Sequence, residues 1–401
     1  MSSFDHELQT RLAALREQNL FRELRRVDTA QNPRIEIDGR KLLNFSSNDY
    51  LGLADHPALK AAAIKAIETF GAGAGASRLV CGSLAPFHEL ESVLAAFKKT
   101  RAALTFSTGY AAALGTICAL TGKEDIIILD KLVHASIVDA AKLSGAKLRI
   151  FAHNDLEDLE AKLRWASANV EIRHPASRIL IITESVFSMD GDRAPLREIV
   201  ALKDKYKAWL MVDEAHATGI VGEQGRGLAA ELGVSEQIEI QMGTLGKALG
   251  ASGGYICGSR ALVDFLINRA RSFIFSTAPV PAAAAAATAA IALTQSAEGE
   301  HRRENLWHRI KQLNSKLKIE NSKLPSAIIP LILGDETKTL AAAAQLREQN
   351  IFVPAIRYPT VARGAARLRL SLTAAHTEAD VSELLATLER LQLHHPNSHP
   401  A

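Results

Sequence analysis

The chain has 401 residues, of which 47% are hydrophobic and 23% are charged, the ordinary composition of a globular protein. Its 47 Lys and Arg against 44 Asp and Glu leave a net charge of +3, which does not indicate a nucleic-acid or membrane-surface partner. Length and composition together exclude a disordered chain and a small disulfide scaffold. The three cysteines lack metal-ligand spacing and no apolar leader opens the sequence, so we expect a cytoplasmic protein without a bound metal.

The first half of the chain predicts a helix, a hairpin and then a sheet. The first thirty residues have leucines at helical spacing between charged residues, and an Asp-Gly pair marks a hairpin turn at 35–40. From about 50 to 290, seven short apolar runs alternate with helical stretches. The runs are 102–106, 126–129, 148–151, 179–183, 209–212, 238–242 and 254–257. Continuous apolar strands separated by helices predict an α/β fold with a mostly parallel sheet that is covered on both faces.

The last hundred residues predict a smaller α/β domain. Its expected elements are a charged helix at 298–318, a strand at 327–333, a helix at 337–350, two further strands and a final helix at 377–391. An alanine-rich run at 281–293 is too short to span a membrane and predicts a buried helix. The expected organisation is an N-terminal segment 1–50, a large domain 51–290, a small C-terminal domain 291–393 and a frayed tail 394–401.

Polar residues follow several of the apolar runs, where an open parallel sheet binds its ligands. Asp213 follows one run with His216 three residues later, and Lys247 lies among glycines just past the next run. A Ser-Thr-Gly-Tyr turn at 107–110 opens a helix and offers backbone N–H groups to a phosphate. Each feature alone has an ordinary alternative: a capping Asp, a structural His, a plain loop or a surface Lys. Together they fit one ligand with a phosphate, a basic ring nitrogen and an aldehyde, which is pyridoxal phosphate.

Longer motifs make the chain similar to a known family. They lie at 44–53, 77–82 with 88–91 behind it, 186–191, 212–216 and 365–369. On these motifs the chain resembles the α-oxoamine synthases, pyridoxal-phosphate enzymes of fold type I that condense an amino acid with an acyl thioester. The resemblance runs from about Arg22 to His376 and implies a large cofactor-binding domain with a seven-stranded sheet. The glycine-rich run at 71–75 follows a helical segment, so it is not interpreted as a dinucleotide-binding loop.

The resemblance implies a role for each candidate residue. Lys247 binds the cofactor covalently and acts as a base, Asp213 pairs with the ring nitrogen, and His134 stacks over the ring and contacts substrate. Further cofactor contacts are expected from Gly109, Tyr110, Ser188, His216 and Thr244. Further substrate contacts are expected from Arg22, Thr360 and Arg369, of which Arg369 binds the amino-acid carboxylate. Glu184 is a further candidate for the cofactor shell, with a capping role as the alternative.

The stretch 355–361 favours, within this family, the biotin-pathway reaction. That reaction condenses L-alanine with a pimeloyl thioester of coenzyme A or of acyl carrier protein, and the carrier stays open. Ala113, Tyr358 and Ala362 depart from the residues that relatives have at these positions. The resemblance also implies a homodimer. The alternatives are a glycine C-acetyltransferase, a 5-aminolevulinate synthase, a serine-using acyltransferase, an aminotransferase or aldolase on the same fold, and a non-catalytic partner subunit, which we expect to lack Lys247.

Overall fold

The computed structural model describes residues 2–173, 177–317 and 326–393, with the backbone alone at 170–173. The predicted tail 394–401 lies outside the described residues. The chain forms two compact units. The large unit contains Asp49–Ser188 and Asp192–Glu304, and the small unit contains the described parts of Met1–Asn48, Met189–Gly191 and Asn305–Ala401.

The secondary structure alternates along most of the described chain. The helices are α1 Ser3–Glu17, α2 Pro57–Phe70, α3 Ala85–Phe97, α4 Gly109–Leu120, α5 Ala135–Ser144, α6 Leu156–Arg173, α7 Leu196–Lys205, α8 Leu228–Glu231, α9 Arg260–Arg269, α10 Arg271–Ile274, α11 Pro281–Thr294, α12 Ala297–Leu317, α13 Glu336–Glu348 and α14 Glu378–Arg390. The strands are β1 Arg34–Ile37, β2 Arg40–Asn44, β3 Ala102–Phe106, β4 Ile126–Asp130, β5 Lys147–Phe151, β6 Ile179–Glu184, β7 Trp209–Asp213, β8 Ile240–Thr244, β9 Gly254–Gly258, β10 Ile328–Gly334, β11 Ile351–Phe352, β12 Ala355–Ile356 and β13 Ala366–Ser371.

A seven-stranded sheet organises the large unit, in the order β3-β9-β8-β7-β6-β4-β5. The strands from β8 to β5 run parallel, and β9 pairs antiparallel with both β3 and β8. Every residue of β3, β4, β6 and β9 is buried, because helices such as α4 and α5 pack their apolar residues against the sheet. The predicted mostly parallel sheet is therefore confirmed: six of the seven apolar runs lie within a strand, and the run 238–242 begins two residues before β8.

Four of the parallel strands end on polar residues at one edge of this sheet. The last residues of β4, β6, β7 and β8 are Asp130, Glu184, Asp213 and Thr244. Glu184 is the register partner of Asp213, and Asp213 is the register partner of Met242 on β8. The carboxyl ends of parallel strands meet at one edge, which is where ligands of such sheets bind. The fold thus brings the sequence-predicted residues of the large unit to a common edge.

The small unit contains two three-stranded sheets, β1-β2-β11 and β10-β13-β12. The predicted hairpin is confirmed, since β1 and β2 pair antiparallel with Asp38 and Gly39 at positive φ in the turn. The N-terminal helix is shorter than predicted and ends at Glu17. Asn19 follows in the left-handed conformation at φ 56, which ends a helix.

The alanine-rich run forms α11, which packs on α2 and α3. Several of its residues are buried, among them Ala284, Ala287 and Ile291. None of the helices in the described part of the chain combines the length and the apolar character that crossing a membrane requires.

Candidate active site

Two buried carboxyl groups lie side by side at the sheet edge. Asp213 is 6% exposed and Glu184 is 2% exposed, and they are register partners on neighbouring strands. Burial raises the pKa of Asp213, and the positive charge of Lys247 offsets part of that rise. Burial also raises the pKa of Glu184, and the negative charge of Asp213 raises it further. Two acids in this position favour a cation beside them, and a protonated ring nitrogen is such a cation.

Lys247 is held by a chain of hydrogen bonds that reaches into the core. Its Nζ lies 2.8 Å from Nε2 of His216, and Nδ1 of His216 lies 2.7 Å from the hydroxyl oxygen of Tyr50. Tyr50 is fully buried and His216 is 5% exposed. When the lysine is protonated, its Nζ donates to Nε2, so Nδ1–H of the imidazole donates to Tyr50. This chain fixes the imidazole, and with it the end of the lysine side chain.

Lys247 lies in a tight loop after β8. The backbone N–H of Gly250 donates to the Lys247 carbonyl at 2.8 Å, and the N–H of Leu245 donates to Gly253 at 2.9 Å. Gly250 has a φ of +60, and a Cβ there would lie 2.5 Å from Leu53 C and Ala54 N. A side chain larger than hydrogen therefore does not fit, which explains a glycine at this position.

His134 begins α5 and also faces the charges of this site. Its Nδ1 accepts from the backbone N–H of Ser136 at 3.2 Å, so it acts as the N-cap of the helix. In the neutral ring the proton is then on Nε2. The residue is exposed, but partial loss of water around the ring lowers the pKa of His134. The negative charge of Asp213 raises this pKa, and the positive charge of Lys247 lowers it further. His134, Asp213 and Lys247 are thus close enough for each charge to act on the imidazole.

The N-terminus of α4 forms a compact turn beside the end of β8. Thr108 caps the 12-residue helix by accepting from Ala111 N–H at 3.0 Å. A Cβ on Gly109 would lie 3.8 Å from Cβ of Thr244, and a Cβ on Gly254 would lie 2.5 Å from the Thr108 carbonyl oxygen. Gly254 therefore allows β9 to approach the turn closely. The free N–H groups of this helix start are suited to an anionic phosphate.

Ser188 and Tyr110 lie near this edge with structural contacts of their own. The Ser188 N–H donates to Oε2 of Glu184 at 3.1 Å, which agrees with the capping alternative for one oxygen of that carboxyl. The other oxygen, Oε1, is buried without a hydrogen-bond partner among the described residues. The Tyr110 hydroxyl donates to Asp139 at 2.8 Å, and its side chain is half exposed. Glu184 therefore has acceptor capacity left for a ligand or for water.

The remaining substrate candidates belong to the small unit. Nη2 of Arg22 lies 3.3 Å from the Tyr358 carbonyl oxygen and 3.4 Å from Oγ1 of Thr360, so the structure brings Arg22 and Thr360 together. Arg369 lies on β13, is 6% exposed, and donates to Oδ1 of Asn48 at 3.1 Å and to Oγ of Ser371 at 2.8 Å. These contacts fix the plane of its guanidinium.

Sequence reasoning missed two features of the site. Tyr50 lies in the motif 44–53, yet its bond to His216, 166 residues away, leaves no local pattern. The second is a cluster of Asp130, His153 and Asp192, in which His153 bridges the two carboxylates. One hint of this cluster is present in the sequence: Asp130 directly follows the apolar run 126–129, and Asp192 lies in the segment after the run 179–183. Side-chain pairs between distant segments are set by tertiary packing and are not visible in local periodicity.

The fold and this sheet edge define a pyridoxal-phosphate enzyme of fold type I. The family model of the class I and II aminotransferases matches residues 40–388, so the chain belongs to that family and is a pyridoxal-phosphate-dependent enzyme.

Individual relatives narrow the family assignment of the chain. The chain is 46% identical over 393 residues to the 8-amino-7-oxononanoate synthase of Geotalea daltonii, with 97% of both chains covered. It is 46% identical over 391 residues to that of Herminiimonas arsenicoxydans, with 96% of this chain and 99% of the relative covered. The predicted relationship to the α-oxoamine synthases, and among them to the biotin-pathway enzymes, is confirmed.

Solved structures give the same family. A lysine-to-alanine variant of serine palmitoyltransferase from S. paucimobilis, with a bound aldimine of pyridoxal phosphate and myriocin, has a TM-score of 0.88 at 30% identity, covering 97% of this chain and 98% of the other. An 8-amino-7-oxononanoate synthase from Francisella tularensis has a TM-score of 0.73 at 29% identity, covering 88% and 98%. The fold-type-I prediction is therefore confirmed, and so is the predicted cofactor.

The residues of this chain fit that cofactor on three observations. Asp213 presents a buried carboxyl group beside Lys247, with one oxygen bonded to Ala215 N–H at 2.9 Å. Glu184 has a buried oxygen without a partner in the described structure. The N-terminus of α4 offers N–H groups next to Thr244. These groups match the ring nitrogen, the ring edge and the phosphate of the cofactor in kind.

Proposed function

We propose that this enzyme condenses L-alanine with a pimeloyl thioester of coenzyme A or acyl carrier protein. The products are 8-amino-7-oxononanoate, carbon dioxide and the free thiol. The observation that carries the proposal is the arrangement of Lys247, His216, Asp213 and His134 at one sheet edge, in a chain 46% identical over its length to enzymes that bear this name. Bound pyridoxal phosphate supplies an electron-withdrawing ring that stabilises negative charge at the alanine Cα.

Lys247 is proposed to hold the cofactor and then to move the substrate proton. Its Nζ would accept the proton from Cα of the bound alanine. The contact with Nε2 of His216 at 2.8 Å supports this role, since it keeps the amine in one position. His216 is in turn oriented by Tyr50. A base that is positioned in this way needs little reorganisation when the proton moves.

Asp213 is proposed to keep the ring nitrogen protonated. Its carboxyl group is buried beside Glu184, and burial raises the pKa of both acids. A positive ring nitrogen beside them restores the charged form of Asp213, because opposite charges in a low-dielectric site stabilise one another. Asp213 would thereby hold the proton on that nitrogen.

His134 is proposed to stack on the cofactor and to donate a hydrogen bond to the thioester carbonyl oxygen. Its Nδ1 accepts from Ser136 N–H, so the neutral ring carries its proton on Nε2. The lowered pKa of His134 keeps the ring neutral. A neutral N–H donor stabilises developing negative charge on an oxygen atom without bringing another cation next to Lys247.

Arg369, Arg22 and Thr360 are proposed to supply the remaining substrate contacts. Arg369 binds the carboxylate of alanine, for which its planar guanidinium is suited. Arg22 and Thr360, which lie together, bind the acyl substrate. Arg302 is bonded to Glu298 and Leu51, and Arg303 is bonded to Thr294 and Glu300. Because these bonds already occupy both guanidinium groups, we do not propose either arginine as a docking group for the acyl carrier. We further propose that the enzyme is a homodimer.

The test supplies pimeloyl-coenzyme A to the cofactor-loaded enzyme with one amino acid at a time. L-Alanine, glycine and L-serine are compared, and thiol release and product mass are recorded. The proposal expects turnover with L-alanine to exceed turnover with the other two, and no turnover in Lys247→Ala. Preference for glycine or serine would overturn it and favour another member of the α-oxoamine synthases.

A further inference from the structure

A polar cluster in the large unit joins the end of β4 to the connection that follows β6. Nδ1 of His153 lies 2.9 Å from Oδ1 of Asp130, and its Nε2 lies 2.7 Å from Oδ2 of Asp192. Asn154 follows His153 and contacts both acids: its backbone N–H donates to Asp130 at 2.9 Å and its amide to Asp192 at 2.8 Å. A single dipeptide thus bridges two carboxylates from separate strand connections.

Asp130 holds the connection that leads to His134. Its side chain is fully buried. Its Oδ1 also accepts from Leu132 N–H at 2.8 Å, and its carbonyl accepts from Val133 N–H at 3.3 Å. The backbone between the end of β4 and His134 is therefore bonded to Asp130 at successive residues. A shift of this carboxylate is transmitted to the start of α5, where His134 caps the helix.

Asp192 holds the connection that carries Ser188. Its carbonyl accepts from Phe187 N–H at 2.9 Å, and Val186 and Arg193 form an isolated β-bridge. The ring of Phe187 meets the ring of His153 at a centroid distance of 4.3 Å and an angle of 89°. The other oxygen of Asp192, Oδ1, is buried without a partner in the described structure. The bonds from His153 and Asn154 are therefore the ones that satisfy this side chain.

The charge of His153 strengthens the bridge. Burial lowers the pKa of His153, but its hydrogen bonds to Asp130 and Asp192 outweigh that effect and raise the pKa to about 10. The imidazole is thus a cation at neutral pH, and both of its N–H groups donate to carboxylates. Charge-assisted hydrogen bonds of this kind are about twice as strong as neutral ones.

We propose that His153 is a positioning residue of the active site, which clamps the connection bearing His134 to the connection bearing Ser188. The inference rests on the proposed function in one respect, the choice of substrates for the activity assay. His153 itself does not touch the reacting atoms. It acts through the backbone of the two connections, and its loss lets His134 and Ser188 drift relative to each other. A displacement of about 1 Å at a reacting group costs about 100-fold in rate.

The test uses His153→Gln in the cofactor-loaded enzyme, with His308→Gln as the control. Gln is neutral, so both acids lose the cation, although its amide N–H group can still donate to a carboxylate. His308 is exposed on α12. We expect kcat to fall about 10- to 100-fold, while KM for L-alanine changes less than about threefold because its carboxylate is proposed to bind Arg369. The visible circular dichroism of the bound cofactor changes in His153→Gln and not in His308→Gln.

Two further measurements keep the outcome decisive. Hydrogen exchange in the cofactor-free protein accelerates at the peptides that contain His134 and Ser188. Asp192→Asn, at a side chain that is 38% exposed, gives the same changes to a smaller degree, so it replaces His153→Gln if that variant does not fold. The proposal is overturned if the folded variant keeps the wild-type dichroism and exchange. These two readouts need no substrate, so they remain informative even if wild type fails to use L-alanine.

Discussion

Gly254→Ala tests the phosphate turn with the smallest available change. A Cβ at this position would lie 2.5 Å from the Thr108 carbonyl oxygen and 2.7 Å from Cα and N of Gly109. A carbon atom normally lies at least about 3.3 Å from a carbonyl oxygen, so the turn must move by roughly 0.8 Å. Overpacking of this kind costs about 1–3 kcal/mol. Because β9 is paired on both sides, the turn moves more easily than the strand. We therefore expect the change to weaken cofactor binding.

The affinity for pyridoxal phosphate should fall about 5- to 150-fold, the range that about 1–3 kcal/mol represents. The assay titrates cofactor-free protein with pyridoxal phosphate and follows absorbance. The matched control is Gly122→Ala, just past the other end of α4, where an added Cβ meets no atom within 4 Å. If Gly254→Ala binds the cofactor as tightly as Gly122→Ala does, the turn at Thr108 and Gly109 does not hold the phosphate, and that part of the account is wrong.

Three further predictions follow from other contacts. Arg369→Ala should raise KM for L-alanine about 10- to 150-fold, as loss of a charged hydrogen bond implies, with the cofactor dissociation constant changed less than about threefold; equal losses would make Arg369 structural. Tyr50→Phe removes the 2.7 Å bond to His216 and should lower the free energy of unfolding by about 0.5–1.5 kcal/mol in urea titrations; no change would contradict the buried bond. The raised pKa of His153, about 10 against 6.5, gives a stabilisation that is complete below pH 6.5 and is lost as pH rises toward 10. The stability difference between wild type and His153→Gln should therefore shrink from pH 7 to pH 10, and a constant difference would refute the charged bridge.

The sequence predicts much of the large unit because its strands are continuous apolar runs. Polar residues follow several of these runs, so the sequence predicts that Asp213 and Lys247 lie at the same sheet edge. The roles of these residues remain predictions until variants are measured. The helix that was expected to cover the first thirty residues stops at Glu17, because Asn19 adopts a left-handed conformation that leucine periodicity does not reveal.

Long-range side-chain pairs account for what the sequence could not predict. The bond between Tyr50 and His216 and the bridge of His153 to Asp130 and Asp192 join segments that are far apart in sequence. Such contacts depend on the packing of whole elements, and the local periodicity of a sequence carries no signal for them. They are nevertheless the contacts that orient the residues predicted to do chemistry.

The most direct test of the central claim follows the carbon that the reaction loses. Cofactor-loaded enzyme is given L-alanine labelled with ¹³C in its carboxylate, together with pimeloyl-coenzyme A, and labelled carbon dioxide and free thiol are counted. A decarboxylative condensation at Lys247 gives one labelled carbon dioxide for each thiol and an unlabelled 8-amino-7-oxononanoate, and Lys247→Ala gives neither product. Thiol release without labelled carbon dioxide, or label retained in the product, would contradict a decarboxylative condensation at this site.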